Sequence, residues 1–179
     1  MSEQEVRWLT PSQQVTWRNW LDAVAWINEQ LNADLRPHCL DLNEYEVLVV
    51  LSESPGHCIR MSQLADGANQ SRSRLTHTVN RMEADGLIVR ETATRDRRGV
   101  VARLTDKGLR LLEGAAPDHV ASVRRVLIDP IDENDWEALG RAMKAVLDAS
   151  GTQSKANSAR TEPGGPARSA AATADGACR

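Results

Sequence analysis

The sequence has few aromatic residues, few cysteines and no long apolar run. Its 179 residues include no phenylalanine, one tyrosine and five tryptophans. No stretch approaches the ~18 consecutive apolar residues that a membrane helix requires, so neither a membrane-spanning segment nor a membrane partner is expected. The first residues, Met1 to Glu5, are acidic and lack the apolar region of a secretory signal. We therefore expect a soluble globular protein of the cytoplasm.

The number and spacing of the cysteines and histidines argue against a disulfide framework and against a metal site. The three cysteines, Cys39, Cys58 and Cys178, are odd in number and widely spaced. This usage is typical of a reducing cytoplasm rather than of a disulfide framework. Histidine precedes two of them, as His38 and His57, but the separation of these pairs matches no common zinc-ligand spacing. No metal site is therefore predicted.

Sequence signatures of catalysis are also missing. The chain has no glycine-rich phosphate loop, no His-Glu-x-x-His sequence and no nucleophile elbow. Its four histidines are scattered along the sequence, and acidic pairs such as Asp132/Glu133 stand where helix capping explains them. We expect neither enzymatic activity nor a cofactor.

Charge is distributed unevenly along the chain. The net charge is −3, which by itself argues against a nucleic-acid partner. Between Arg60 and Lys107, however, ten Lys or Arg residues stand against six Asp or Glu, whereas the rest of the chain has 12 basic and 19 acidic residues. A basic block inside an acidic chain is typical of a surface that meets phosphate groups.

Helices are predicted on both sides of the basic block. Thr10 and Pro11 suit the start of a first helix, Gln13 completes a capping box, and Pro37 ends the helix. Apolar residues recur at helical spacing along it, at Trp17, Trp20, Leu21, Val24, Ile27, Leu31 and Leu35. A last helix is predicted after its cap, Asp132.

Short helices and a hairpin are predicted between these flanks. A helix capped by Asp41 is followed by an edge strand over 58–60 and a short helix with Leu64 and Ala65. A fourth helix over 71–85, which Gly86 ends, precedes two strands over 87–92 and 100–104. Thr105 then caps a fifth helix. Because proline removes a backbone donor, Pro117 predicts a kink or a break in the fifth helix near residues 115–116.

The fourth helix separates into two faces. Leu75, Val79 and Met82 recur at core spacing. A second face carries short hydrogen-bonding side chains of a size that suits base edges in a major groove: Ser73, Thr76, His77 and Asn80. The flanking residues Arg72, Arg74 and Arg81 are candidates for phosphate contact, which the free N–H groups at the start of a helix also favour. Ser71, at the start of the helix, is a further candidate DNA-binding residue.

The hairpin tip is the second candidate contact. Arg95, Arg97 and Arg98 make it cationic, and arginine on a tight turn suits the negative potential of a narrow minor groove. Asp96 is placed to hydrogen-bond one of these arginines and fix its direction.

In this order, the motifs resemble those of MarR-type transcriptional regulators, in particular actinobacterial members. The matching residues are Leu64-Ala65, Ser71 to Leu75, Arg81 to Arg90, Asp96-Arg97-Arg98 and Leu104 to Gly108. The resemblance covers residues 10–149. It implies a mainly α fold with a small β-hairpin wing, that is, a winged helix-turn-helix flanked by N- and C-terminal dimerisation helices.

The resemblance also implies an organisation and a function. The predicted parts are an N-terminal arm (1–9), an N-terminal dimerisation helix (10–40), a winged helix-turn-helix domain (41–104), C-terminal dimerisation helices (105–150) and a disordered tail (151–179). Disorder is expected for the tail because its 29 residues include no large apolar side chain. The expected partners are a second copy of the chain and a pseudo-palindromic double-stranded DNA operator. Repression is the expected role.

Regulators of this type often release DNA when a small aromatic or anionic ligand binds. Trp17, Trp20 and Trp26 are candidates to line a ligand pocket, and Arg18 or His38 to meet an anionic group. A dimer core is the favoured explanation of the same tryptophans, because the chain has no phenylalanine, and the two roles are compatible.

Two alternatives stay open at the level of sequence. Cys39 stands beside Arg36 and His38, whose positive charge would activate a redox-sensing thiol. The winged helix would also serve as a protein-interaction module without a specific DNA target, although the basic excess favours DNA.

Overall fold

The computed structural model describes residues 6–92 and 99–150. In this part of the chain six helices and three strands follow one another. They are α1 (Pro11–Leu35), α2 (Leu42–Glu53), β1 (Cys58–Arg60), α3 (Met61–Gly67), α4 (Arg72–Ala84), β2 (Ile88–Thr92), β3 (Val100–Leu104), α5 (Asp106–Val123) and α6 (Glu133–Ala149). Single 3₁₀ turns follow α1 and α2, and a π-helical segment, Arg124–Ile128, follows α5.

The helix starts follow the capping residues that the sequence predicts. The Thr10 side chain accepts from the Gln13 backbone N–H, and the Gln13 side chain accepts in return from the N–H of Thr10. Asp41 and Glu44 form the same reciprocal pair at the start of α2. Each pair satisfies two of the backbone donors that a helix start leaves free.

The three strands form one antiparallel sheet in the order β1-β3-β2. Ala102 in the central strand pairs with Ile59 on one side and Arg90 on the other. The predicted edge strand and hairpin are therefore confirmed. The hairpin is the wing of the fold, and its tip, with Arg95, Asp96, Arg97 and Arg98, lies outside the described residues.

One core lies under the sheet and helices α2 to α5. Leu48, Leu64, Val79, Ile88 and Ala102 are each fully buried in it. Because α2, α3, α4, β2 and β3 each contribute one of these inaccessible residues, the elements hold each other in place through apolar burial. This arrangement confirms the predicted fold class, a helical protein with a small β-wing.

Helix α5 passes through Pro117 without a break. The helix is continuous from Asp106 to Val123, so the break expected near residues 115–116 does not occur. Proline costs α5 one backbone hydrogen bond, but Leu112, Ala115 and Ala116 are buried on the preceding turns, and their packing offsets that loss.

Helix α5 is locked onto the end of α4 by a close backbone approach. The Thr105 hydroxyl lies 2.9 Å from the carbonyl oxygens of Gly86 and Leu87 and accepts from the Gly108 N–H. A Cβ atom added to Gly108 would lie 2.2 Å from the Leu87 oxygen. Only glycine therefore allows this approach, which fixes the base of the wing.

Gly108→Ala should accordingly destabilise the fold. Because the obstructing atom is a backbone oxygen, the strain cannot be relieved by a rotamer change, and we expect the free energy of unfolding to fall by about 1–3 kcal/mol. Chemical denaturation measures this change. Gly114→Ala, in the same helix with open space around it, is the control and should be stabilising by about 0.5–1 kcal/mol. Equal effects of the two substitutions would contradict the close approach.

Helices α1 and α6 leave large apolar side chains uncovered in the single chain. The exposed tryptophans include Trp17 (53% exposed), Trp20 (41%), Trp26 (49%) and Trp136 (39%). Helix α6 has no buried residue. Within residues 6–92 and 99–150, no helix combines the length and apolar character needed to cross a membrane.

Candidate nucleic-acid interface

Helix α4 presents the two faces that its sequence predicts. Leu75, Val79 and Met82 are buried in the core. The opposite face is exposed along its length, at Ser71, Arg72, Ser73, Arg74, Thr76, His77, Asn80 and Arg81. Ser71 caps the helix by accepting from the Arg74 backbone N–H. The structure thus brings the predicted recognition residues together on one exposed helical surface.

A buried polar link that the sequence prediction missed holds this helix in place. Thr78 donates to the Gln70 side chain at 3.2 Å, and the Gln70 amide donates to the Asn43 carbonyl at 3.0 Å. Both side chains are buried. The position of Thr78 between Leu75 and Val79 on the inward face was the available signal. The link fixes the turn before α4 against the start of α2.

A shallow groove of about 450 Å³ runs between the start of α2 and the first three turns of α4. It is lined by Asp41, Asn43, Ser71, Ser73, Arg74, His77, Thr78 and Arg81. The groove is polar and adjoins the exposed face of α4, so a ligand that reaches this face meets hydrogen-bonding groups from both helices.

Arg81, Arg90 and Arg103 of the basic block are engaged within the chain. The Arg81 guanidinium lies 2.7 Å from Asp41 Oδ2 and 3.0 Å from Glu44 Oε1, and these two carboxylates raise its pKa above its usual range. Arg90 binds Glu83, whose pKa it lowers, and so ties β2 to α4. Arg103 binds Glu91 and the carbonyl of Gly56.

Arg72 and Arg74 differ from these three. Both are exposed at the start of α4, and neither forms an ion pair with any residue in the described part of the chain. A guanidinium without an internal partner gives up no protein contact when it binds phosphate. These two arginines are therefore the cations of α4 that are best placed for an anionic partner.

A second group of polar residues lies where α5 meets α1 and α2. His38 Nε2 lies 2.8 Å from Asp118 Oδ2. The Tyr45 and His119 rings are 4.2 Å apart, and His119 Nδ1 is buried without a hydrogen-bond partner among the described residues. Burial lowers the pKa of His119. Sequence reasoning identified His38 at this junction but missed Tyr45 and His119.

The unfolding of the protein should depend on pH through His119. Its pKa is lower in the folded than in the unfolded state, so the unfolded chain binds more protons as the pH falls through about 6.5. We expect the free energy of unfolding to decrease over that range, and to decrease less in His119→Phe, which keeps a ring but does not titrate. Denaturation at pH 7.5 and 5.5 measures the difference. The same pH dependence in both proteins would contradict this assignment.

The other candidate ligand-pocket residues do not meet His38 within one chain. Trp17, Arg18 and Trp20 lie on the exposed first half of α1. The helical rise places Trp17 about 27 Å along the axis from Leu35, where α1 ends beside His38. The candidate redox residue, Cys39, is an exposed free thiol in a left-handed backbone conformation.

The part of the chain that forms these helices and the wing is similar to known proteins. The sequence profile of the MarR family matches residues 40–99. AbsC, a MarR family regulator from Streptomyces coelicolor, is 44% identical, with a TM-score of 0.78 over 83% of this chain and 100% of the other. Sco3205 from the same organism, a MarR family regulator solved in complex with DNA, is 38% identical, with a TM-score of 0.78 over 84% and 94% of the two chains.

A curated relative supports the same assignment. The transcriptional regulator MhqR of Bacillus subtilis is 28% identical over 120 residues, which cover 67% of this chain and 81% of the relative. Proteins of this kind act by binding DNA rather than by catalysis, as the lack of catalytic motifs predicts. With its winged helix-turn-helix and its exposed α4, the chain belongs to the MarR family of DNA-binding transcriptional regulators.

Proposed function

We propose that this chain is a homodimeric repressor that binds a pseudo-palindromic operator and is released by a small ligand. The observation that carries the proposal is the outer face of α4. It presents hydrogen-bonding side chains next to Arg72 and Arg74, which have no ion-pair partner among the described residues. A helix with these properties is suited to the major groove.

Each part of the outer face has a proposed role. Ser73, Thr76, His77 and Asn80 meet base edges, and Ser71, Arg72 and Arg74 contact phosphates. The DNA complex of Sco3205, at 38% identity, supports the use of this fold on DNA. At the wing, Arg95, Arg97 and Arg98 are proposed to enter the minor groove, with Asp96 orienting one of them.

The uncovered apolar side chains of α1 and α6 support the proposed dimer. Pairing these helices across a two-fold axis removes tryptophans from water on both chains. Two-fold symmetry then places the two copies of α4 about 34 Å apart, the length of one DNA turn. The operator is accordingly expected to be pseudo-palindromic.

The ligand trigger is proposed for the junction of α1, α2 and α5. His38 and Asp118 form a polar pair there, next to the Tyr45 and His119 rings. An aromatic ligand would find ring surfaces there, and a polar ligand would find the imidazole of His38 as a hydrogen-bonding partner. A redox trigger at Cys39 is the second candidate, since this thiol is free and exposed. Loss of DNA binding under mild peroxide that persists in Cys39→Ser would exclude it.

Fluorescence anisotropy with DNA from immediately upstream of the gene, at two salt concentrations, tests the function. We expect nanomolar, salt-dependent binding that a scrambled duplex does not reproduce, because phosphate contacts dominate affinity and base contacts supply selectivity. If the upstream duplex and the scrambled duplex bind equally weakly, the protein is used to select from a pool of random duplexes. Failure to enrich any sequence from that pool would favour a protein-interaction module.

A further inference from the structure

Two carboxylates stand close to the surface proposed to meet DNA. Asp41 lines the groove beside Arg74 and His77, and Glu44 follows one turn later in α2. Uncompensated negative charge at this place would repel a DNA backbone that approaches α4. The structure must therefore either keep DNA away from the start of α2 or compensate these charges.

Each carboxylate has one oxygen committed to the start of α2. Asp41 Oδ1 accepts from the Glu44 N–H at 2.9 Å, and Glu44 Oε2 accepts from the Asp41 N–H at 3.0 Å. The remaining oxygens, Asp41 Oδ2 and Glu44 Oε1, both contact Nη2 of Arg81. One guanidinium from α4 thus binds both of the carboxylate oxygens that the capping box of α2 leaves free.

We propose that Arg81 is a positioning residue and not a phosphate ligand. Through Asp41 and Glu44 it sets α4 against the start of α2, and it compensates the carboxylates that would otherwise face DNA. This inference rests on the proposed function, because the surface that Arg81 positions is the exposed face of α4.

The contrast with the neighbouring arginines supports this division of roles. Arg72 and Arg74 have no ion-pair partner among the described residues, whereas Arg81 has two. Moving Arg81 to a phosphate would leave two carboxylates without their cation, next to the phosphate that Arg81 had joined. Arg81 lies about two and a half turns along α4 from Arg72 and about two turns from Arg74, so phosphate binding by these two does not require Arg81 to leave its pair.

A double-mutant cycle on operator affinity distinguishes the two roles. The four proteins are the wild type, Arg81→Gln, the pair Asp41→Asn/Glu44→Gln, and the variant with all three substitutions. Asparagine and glutamine keep the capping box of α2, so the cycle removes charge and retains the helix start. Circular dichroism and thermal unfolding confirm that each variant is folded.

For a positioning residue we expect strong coupling. Arg81→Gln alone should weaken operator binding about five- to tenfold, but the same substitution should cost less than about twofold when Asp41 and Glu44 are already neutralised, because the contacts that Arg81 makes are then absent. A phosphate ligand gives additive effects instead: Arg81→Gln then costs the same factor whether or not the carboxylates are neutralised. Additive effects on affinity would overturn the proposal.

The same variants separate this inference from the proposed function. If the wild type selects its operator and the cycle is additive, only the role of Arg81 is wrong. If the wild type selects no DNA sequence, the proposed function fails, and the cycle is measured on the free energy of unfolding. Coupled effects on the free energy of unfolding would support Arg81 as the link between α4 and α2. Additive effects on the free energy of unfolding would overturn that link as well.

Discussion

The double variant Arg72→Gln/Arg74→Gln is expected to bind operator about 50- to 100-fold more weakly than the wild type near 0.1 M salt. Each phosphate contact that is lost reduces the slope of log affinity against log salt by about 0.9. The slope should therefore be smaller by about two. Anisotropy titrations over a range of salt concentrations measure both quantities. The expected loss is large because no ion-pair partner within residues 6–92 and 99–150 holds these two arginines away from DNA.

Arg141→Gln is the matched control for this experiment. It removes one positive charge, against two in the double variant, from the exposed surface of α6 outside the proposed DNA surface, where the arginine pairs only loosely with Glu137 at 3.6 Å. Affinity and salt slope should stay close to those of the wild type. If the double variant keeps the wild-type slope, or if the control loses as much affinity, the start of α4 does not contact phosphate.

Trp20→Glu is expected to have the second large effect, on assembly. Trp17, Trp20 and Leu21 form one exposed apolar stripe on α1. A carboxylate placed in a dimer core must lose its hydration, and the two-fold axis introduces this cost twice. We expect the dimer dissociation constant to rise at least about 100-fold. Operator affinity should fall by a similar factor, because the second half-site is no longer bound intramolecularly.

Sedimentation equilibrium measures the dimer, and anisotropy measures the operator affinity. Asn19→Glu adds the same charge to α1 outside this stripe, about 160° around the helix from Trp17 and Leu21 and about 100° from Trp20, and should leave both quantities unchanged. A Trp20→Glu protein that stays folded and dimeric would exclude this stripe from the interface. Equal losses in the two variants would point to a general effect of charge on α1.

Local interactions explain why much of the fold could be predicted from the sequence. Thr10 and Asp41 cap helices because each needs only a partner three residues ahead. The inward face of α4 follows from residue spacing, and Gly86 ends α4 with a positive φ of 70°. These features depend on neighbours in the chain, so a pattern over a few residues is sufficient to predict them.

Pro117 shows where local rules fail. Its effect on α5 depends on the burial of Ala115 and Ala116 against other elements, which no local pattern contains. The His119 ring meets Tyr45 from a helix more than 70 residues away in sequence, and the Thr78 link needs Gln70 and the Asn43 carbonyl together. Contacts of this kind become defined only when distant segments pack.

The order of the helices and strands, the capped helix starts and the exposed polar face of α4 can all be predicted from the sequence, because helical periodicity and capping are short-range properties. Which cations remain available depends on the folded structure. The sequence count gives every arginine of the basic block equal weight, but folding brings Asp41 and Glu44 to Arg81, and Glu83 to Arg90. Coulombic pairing depends on distance in space, and the fold alone sets that distance.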